Sequence, residues 1–481
     1  MKFGIPGGDP IEVPDEDWDR TPDSVKNAFV ALQNAVEAMG SLLVGMKQRL
    51  DKLEGKSKSG KPGGGTGGSL PNRGKQKDGN KRGGQPGHPG KHRTPFPKNE
   101  VDRTIEVAPE SCQHCGHGFD DTELTPYFTH QVLELLAKPF EVSEWVLMSG
   151  CCPSCDKVSH GELPPGVPTR NFGPRFIASL SLMSGVLHMS RRDIVEFVGS
   201  VWGVNISLGT VSSLEGLVTD AIKGAHSEVH ATIQSEETAG ADDTGWRQNN
   251  QYACLWVFTS QHLTYYQITA DKSAESAAKV LGKFNGVLTS DRAKNLDFFK
   301  GWRQTCWAHL DRHFLAISER SGIATQVGLD AMAVHDQVFH IWHRFKNDLI
   351  DADQLFDELK APREELEAIL QRGADFADSR TASTCRNLLG IYDRLWTFSY
   401  HDGVEPTNNA SEQRLRGGVQ WRDTSYGSQS ERGTRFAESI MTVAATCRQQ
   451  GRSVLRFLEE SVLAFLKKIP GPSLNPDPAP T

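Results

Sequence analysis

Residues 239–260 read A-G-A-D-D-T-G-W-R-Q-N-N-Q-Y-A-C-L-W-V-F-T-S, and this stretch decides the fold. Two strand-like runs, 239–248 and 251–260, flank Asn249-Asn250. Asparagine tolerates positive φ, so the pair predicts a two-residue hairpin turn. In the second run Tyr252, Cys254, Trp256 and Phe258 alternate with Ala253, Leu255 and Val257. Both faces are apolar, as a central strand covered on two sides requires. Moving outward, a third strand is expected at 262–269, a helix at 273–284 and a short buried strand at 286–290. Another strand is expected at 304–308, leading into a helix from His309. Three antiparallel strands followed by alternating helices and strands predict a mixed α/β sheet. Residues 320–400 are charged, rich in Leu and Ile and helical in pattern; a last helical block covers about 409–468.

Upstream, 173–219 reads as helices. Ser190 caps a run through Val195, Val198 and Trp202, residues 203–206 make a turn, and Ser207 caps a run through Val211, Leu214 and Leu217. This is the helix-turn-helix pattern, which helical packing accounts for equally well; Glu215 on the second helix does not favour groove reading.

Of the 481 residues, 53 are Lys or Arg and 60 are Asp or Glu, a net charge of -7. The balance is uneven. Residues 55–98 hold eleven basic residues, one Asp and thirteen Gly, with no apolar period. Such a segment cannot bury a core, and its charge suits a phosphate backbone. Lys81, Arg82, Lys91 and Arg93 are its candidate DNA contacts. Ahead of it Val25, Phe29, Leu32, Val36, Met39, Leu43, Met46, Leu50 and Leu53 step by four and three. That is a coiled-coil seam, and it predicts a homo-oligomer, the alternative being an amphipathic helix packed on its own protein. An apolar signal peptide and a membrane span are both absent from the pattern, so a cytoplasmic location is expected, with the protein nucleoid-associated when bound to DNA.

Five of the nine cysteines fall between 112 and 155. Cys112 and Cys115 form one C-x-x-C and Cys152 and Cys155 another, the spacing that lets paired thiolates reach one tetrahedral Zn²⁺ from a tight turn. Four thiolates make a closed, structural site. The intervening 141–147 alternates like a strand, as a zinc ribbon with an extended hairpin would. Cys254, Cys306, Cys385 and Cys447 lack partner spacing and read as buried thiols.

Asp242 lies inside the first strand and Asp291 at the end of the fourth, the edge where α/β sheets bind ligands. Strand alternation puts Asp242 and Asp243 on opposite faces. Glu412 opens a helix after the long helical stretch. Carboxylates on neighbouring strands repel unless a cation sits between them, and hard oxygen donors suit Mg²⁺. Each acid also has a local explanation: a strand-end turn for Asp242, a helix cap for Asp291, a capping box begun by Asn409 for Glu412.

Together these residues resemble the DDE-type bacterial transposases of the insertion sequence 66 family, over roughly 21–470. The resemblance rests on GGQPGHPGKHR (83–93), the two C-x-x-C knuckles, ADDTGW (241–246), SDRAKN (290–295), CWAHLDRHF (306–314) and TNNASEQRLR (407–416). It implies a ribonuclease-H-like catalytic domain with a helical insertion, preceded by a leucine-zipper segment and a zinc-binding domain. The implied organisation is a coiled coil at 21–54, a basic arm at 55–98, a zinc domain at 99–170 and a helix-turn-helix-like region at 171–235. Catalytic core at 236–319 and 401–469 brackets an insertion at 320–400, and a Pro-rich tail occupies 470–481.

By resemblance Asp242, Asp291 and Glu412 are the catalytic acids. Asp242 would bridge two Mg²⁺ (or Mn²⁺) ions roughly 3.5–4 Å apart, with Asp291 and Glu412 completing one each. The family commonly has Glu where this chain has Asp243, and a basic residue where it has Gln413. Asn408 and Asn409 are candidates for orienting the helix; Lys294, Arg414, Arg416 and Arg422 for phosphate contact. His309 and His313 fit packing or DNA contact better than a metal site, since neither H-E-x-x-H nor H-x-x-E-H is present. The implied function is cleavage and joining of DNA at element ends, with accessory proteins of the same element as further partners. A transposase-derived DNA-binding protein, a nuclease without strand transfer and a zinc-stabilised scaffold are the alternatives.

Overall fold

The computed structural model describes residues 171–476 without a break, shorter stretches between 95 and 167, and the backbone of two short strands near the N-terminus. The seam at 21–54, the arm residues Lys81, Arg82, Lys91 and Arg93, and Cys112, Cys115 and Cys152 lie outside the described residues. The chain divides into two units, 1–71 and 72–481. In the first, β1 (Lys2–Phe3) and β2 (Ile11–Glu12) pair antiparallel.

In the second unit β3 (Ser149–Cys151) and β4 (Val158–His160) form a small antiparallel hairpin around the second cysteine knuckle. Cys155 is exposed in its turn. The strand expected at 141–147 does not form, and the ladder starts only at Ser149. The alternating apolar residues there, Val142, Trp145 and Leu147 among them, are exposed. Alternation marks a strand only where one face is buried.

Three helices follow: α1 (Pro174–Gly185), α2 (Arg191–Trp202) and α3 (Leu208–Ile233). The α2–α3 corner forms as its turn chemistry predicts. Ser190 closes a capping box with Asp193, Gly203 ends α2 in the left-handed region, and Ser207 caps α3. Helix α3 is a core element for most of its length. Its Glu215 is buried against Arg191 of α2 at 2.5 Å, which explains an acid on this helix without any groove.

The five-stranded sheet runs β7-β6-β5-β8-β9. Strands β5 (Thr238–Gln248), β6 (Gln251–Thr259) and β7 (Thr264–Thr269) are antiparallel neighbours. Asn249 and Asn250 turn between β5 and β6 with φ of 48° and 60°. After α4 (Ala274–Leu281), capped by Ser273, β8 (Val287–Ser290) joins β5 in parallel and β9 (Arg303–Thr305) joins β8. The chain leaves the sheet three residues earlier than expected, and α5 (Trp307–Ser318) starts before His309. The Cys306 N–H still reaches Ser290 O at 2.9 Å, but the Trp307 N–H is taken by Pro406 O.

Helices α6 (Ile323–Lys346), α7 (Ala352–Phe376) and α8 (Ser379–Leu389) pack with α5 around a separate apolar cluster centred on Trp307 and Trp396, whose rings meet edge to face at 5.1 Å. The main core instead joins the sheet to α1–α3 and to the last helices, α9 (Asn409–Ser425), α10 (Glu431–Gln449) and α11 (Val454–Lys467). Leu474, beyond α11, is fully buried in it. Helices therefore cover both faces of a mixed sheet. None among the described residues is long and apolar enough to cross a membrane.

Side chains occupy backbone groups along both sheet edges, which blunts them as sites for further strand pairing. On β7 the N–H groups of Thr264, Tyr266 and Ile268 donate to Thr446 Oγ1, Thr442 Oγ1 and Glu438 Oε1 of α10. Those acceptors are spaced at i, i+4 and i+8, one stripe of a helix. On β9, Thr397 Oγ1 donates to Arg303 O, and Gln304 Oε1 accepts the Phe398 N–H.

Candidate active site

Along β5, Gly240, Asp242 and Thr244 share one face, and α9 lies across it. The close approach depends on two glycines. A Cβ on Gly240 would collide with Ser411 Oγ, and one on Gly418 of α9 with the Leu255 side chain. Farther along, Arg422 Nη1 donates to Thr244 Oγ1 at 3.1 Å and to Gly245 O at 2.9 Å. Asp242 thus sits in mid-strand beneath the first turns of α9 and is not a strand-end turn residue. Asp243 points to the opposite face, where the Cys254 thiol donates to its Oδ2 at 3.4 Å.

Asp291 is the first residue after β8, next to β5 in the sheet. Its Oδ1 accepts the Ala293 N–H at 2.9 Å and so starts the short turn Lys294–Leu296. The helix after it has Ala293 as its N-cap and no side-chain cap, so Asp291 makes a local turn and does not cap that helix. The neighbouring Arg292 is held by His313, with Nη2 donating to Nε2 at 2.8 Å. Burial, then the charge of Arg292, push the His313 pKa down to about 4, which keeps the ring a neutral acceptor.

Glu412 lies in the first turn of α9. No capping box forms at Asn409. The N-cap is Asn408, and its side chain makes no cap hydrogen bond. Instead Asn408 Nδ2 donates to the carbonyl of Ala241, the residue before Asp242, at 3.0 Å. Its backbone N–H donates to Cys306 Sγ at 3.2 Å. The Cys306 thiol in turn donates to Glu412 Oε1 at 3.9 Å, and His309 Nδ1 approaches the same oxygen at 3.5 Å.

The three acids converge electrostatically. Burial raises the Asp242 pKa to about 7; the adjacent Asp243 N–H, donating at 2.8 Å, works against this, and the negative charges of Asp291 and Glu412 add to it. The negative charges of Asp291 and Glu412 beside a buried Asp242 favour a positive charge among them. An oxygen-only set of this kind could hold a hard divalent cation.

Of the cations singled out in the sequence, Lys294 is exposed just past Asp291, and Arg416 is exposed on α9. Arg414 is half-buried, and its carbonyl accepts the Tyr266 hydroxyl at 2.6 Å. Arg422 braces β5. Cys254, Cys306, Cys385 and Cys447 are all buried. Sequence reasoning missed the contacts of Cys306 and His309 with Glu412. The available signal was C-x-x-H at the start of a helix, a spacing of three that sets both side chains on one face.

A family model described as "Transposase IS66 family" matches residues 170–436. The chain is also 24% identical over 406 residues to "Uncharacterized protein y4hP" of Sinorhizobium fredii (strain NBRC 101917 / NGR234), covering 74% of this chain and 71% of that protein. The family match includes Asp242, Asp291 and Glu412 and takes in more than half of the residues, and on that match the chain belongs to the IS66 family of transposases.

Proposed function

We propose that the protein cuts DNA at the ends of its own element and joins the freed ends to target DNA, with Asp242, Asp291 and Glu412 as catalytic carboxylates. One observation carries the reading. A mid-strand acid, an acid ending the adjacent parallel strand and an acid on a helix crossing the same face come together around Asp242, whose pKa burial raises to about 7 with a smaller push from the charges of the other two. The strand order, three antiparallel strands and then two parallel ones on the β5 side, supports a ribonuclease-H-like core.

Asp242 would serve as the shared oxygen donor for two Mg²⁺ or Mn²⁺ ions, with Asp291 and Glu412 each completing one. Bound there, the ions would activate a water or a DNA 3′-hydroxyl for in-line attack and stabilise the leaving 3′-oxygen. The chain's own residues hold this arrangement. Asn408 ties the Glu412 helix to the strand beside Asp242, and Gly240 lets that helix come close. Arg292, positioned by His313, puts positive charge beside Asp291 where a DNA phosphate would lie. Lys294, Arg414 and Arg416 are further phosphate contacts, and the arm residues Lys81, Arg82, Lys91 and Arg93 track the DNA backbone.

Around this core we assign 21–54 to self-association, 55–98 to DNA and 99–170 to a structural Zn²⁺ held by Cys112, Cys115, Cys152 and Cys155. Residues 171–235, 236–319, 320–400 and 401–469 are the helical region, the two core segments and the insertion between them. Accessory proteins of the same element are candidate partners.

The test uses labelled element-end DNA with Mg²⁺. Wild type should nick the end and yield joined product, while Asp242→Asn binds the DNA and cleaves nothing. Undiminished cleavage in the variant overturns the assignment. Nicking without joined product points instead to a nuclease.

A further inference from the structure

Beside the three acids lies a second donor set of different chemistry. One ligand atom each from Cys306, His309 and Glu412 lies within 4.8 Å of the other two. Cys306 is the N-cap of α5 and His309 sits in its first turn, so both face the same way; Glu412 comes from the first turn of α9. Cys306 Sγ and His309 Nδ1 stand 3.9 and 3.5 Å from Glu412 Oε1. Ligand atoms around tetrahedral zinc are roughly 3.3–3.8 Å apart, given its bond lengths. Only small side-chain movements separate this cluster from a coordination shell.

We propose that Cys306, His309 and Glu412 form a binding site for a borderline-soft divalent cation, Zn²⁺ above all, whose occupancy withdraws Glu412 from the hard-cation site and switches the enzyme off. The inhibitory consequence rests on the proposed role of Glu412; the binding itself does not.

The donor set makes the selectivity. Thiolate, imidazole and carboxylate together suit Zn²⁺ or Co²⁺ and not Mg²⁺, which prefers oxygen alone. His309 Nδ1 is buried and makes no hydrogen bond, so one donor atom of the cluster is left without a hydrogen-bonding partner. The Asn408 N–H already donates to Cys306 Sγ and would stabilise a thiolate there. On binding, the thiol proton leaves to solvent and the Sγ–metal bond replaces the S–H bond. Glu412 and His309 are each a little under a third exposed, so the cluster opens towards solvent.

The experiment titrates Co²⁺ into full-length protein and into Cys306→Ser and His309→Gln, each shown folded by thermal unfolding. All three carry the same cysteine knuckles, pre-loaded with zinc, so those cancel in the difference. Wild type should take up one more equivalent and show thiolate-to-Co²⁺ charge-transfer absorption that Cys306→Ser lacks. His309→Gln should bind at least as weakly as the roughly 10–100-fold loss of an outer-shell partner implies. In the Mg²⁺ cleavage assay, wild type should be inhibited by Zn²⁺ at concentrations that leave Cys306→Ser active. Identical Co²⁺ uptake and spectra in all three proteins overturn the site. Differing spectra with equal Zn²⁺ inhibition overturn the switch. If wild type never cleaves DNA, the functional reading fails while the Co²⁺ spectra still decide the site.

Discussion

The side-chain amide of Asn408 donates to the backbone carbonyl of Ala241 at 3.0 Å, joining the cap of the Glu412 helix to the residue before Asp242. Asn408 is buried, and its own N–H is held by Cys306. This one residue therefore connects the strand, the helix and the α5 corner. Removing it leaves polar groups without partners in a dry place.

Asn408→Ala should cost about 1–3 kcal/mol in urea unfolding, the range for a buried hydrogen bond whose partner is orphaned. Cleavage should fall more than DNA binding. Asn408→Asp keeps the size but sets an acceptor against the Ala241 carbonyl, so it should be at least as damaging. Stability and cleavage both equal to wild type would show that the contact positions nothing.

Gly240→Ala and Gly245→Ala separate the two faces of β5. The first pushes against Ser411 Oγ and should destabilise by about 1–3 kcal/mol, the usual cost of overpacking. It should also reduce cleavage by displacing the Glu412 helix. At Gly245 a Cβ meets only Tyr252 Cε2, at an ordinary 3.9 Å, so that change should be near neutral. Denaturant midpoints for the pair settle the comparison.

Asp242 has its pKa raised from 3.8 to about 7 in the folded protein. A carboxyl raised in this way contributes stability that is fully present below pH 3.8 and lost as pH rises through 7. In Mg²⁺-free buffer Asp242→Asn should therefore be more stable than wild type at pH 8, with the gap closing towards pH 4. Adding Mg²⁺ should raise the melting temperature of wild type and not of the variant. A gap independent of pH would contradict the electrostatic account.

Glu438 provides a second pH effect away from the acids. Burial raises its pKa from 4.5 to about 7, although the Ile268 N–H donates to it. Its contribution to stability is likewise lost as pH rises from 4.5 through 7. Glu438→Gln keeps an acceptor for β7 and should flatten that part of the profile, by an amount on the order of 1–3 kcal/mol. Urea unfolding at pH 5 and pH 8 in both proteins measures it.

Local turn and cap chemistry was legible in the residues. Asn249-Asn250 turn where positive φ is tolerated, and Ser190, Ser207 and Ser273 begin their helices with side-chain caps. The position of Asp291 after a buried strand was legible too. What the residues could not show was long-range. Alternation puts Asp242 and Asp243 on opposite faces without saying which face α9 covers; that depends on Gly240 and Gly418, more than 170 positions apart. Thr442, Thr446 and Glu438 look like ordinary helical polar positions until β7 lies beside them. Cys306 reads as a buried thiol and His309 as a packing or DNA-contact residue, because their partner Glu412 is about a hundred positions away. The expected strand at 141–147 failed for a related reason: its period was correct, but its apolar side chains face solvent.

The central claim is that Glu412, with Asp242 and Asp291, makes this chain a metal-dependent DNA-cutting and joining enzyme. The most direct measurement is cleavage and strand transfer on labelled element-end DNA with Mg²⁺ or Mn²⁺, comparing wild type with Glu412→Gln. The account predicts that both activities vanish in the variant while end binding persists. Equal activity in the two proteins would contradict it.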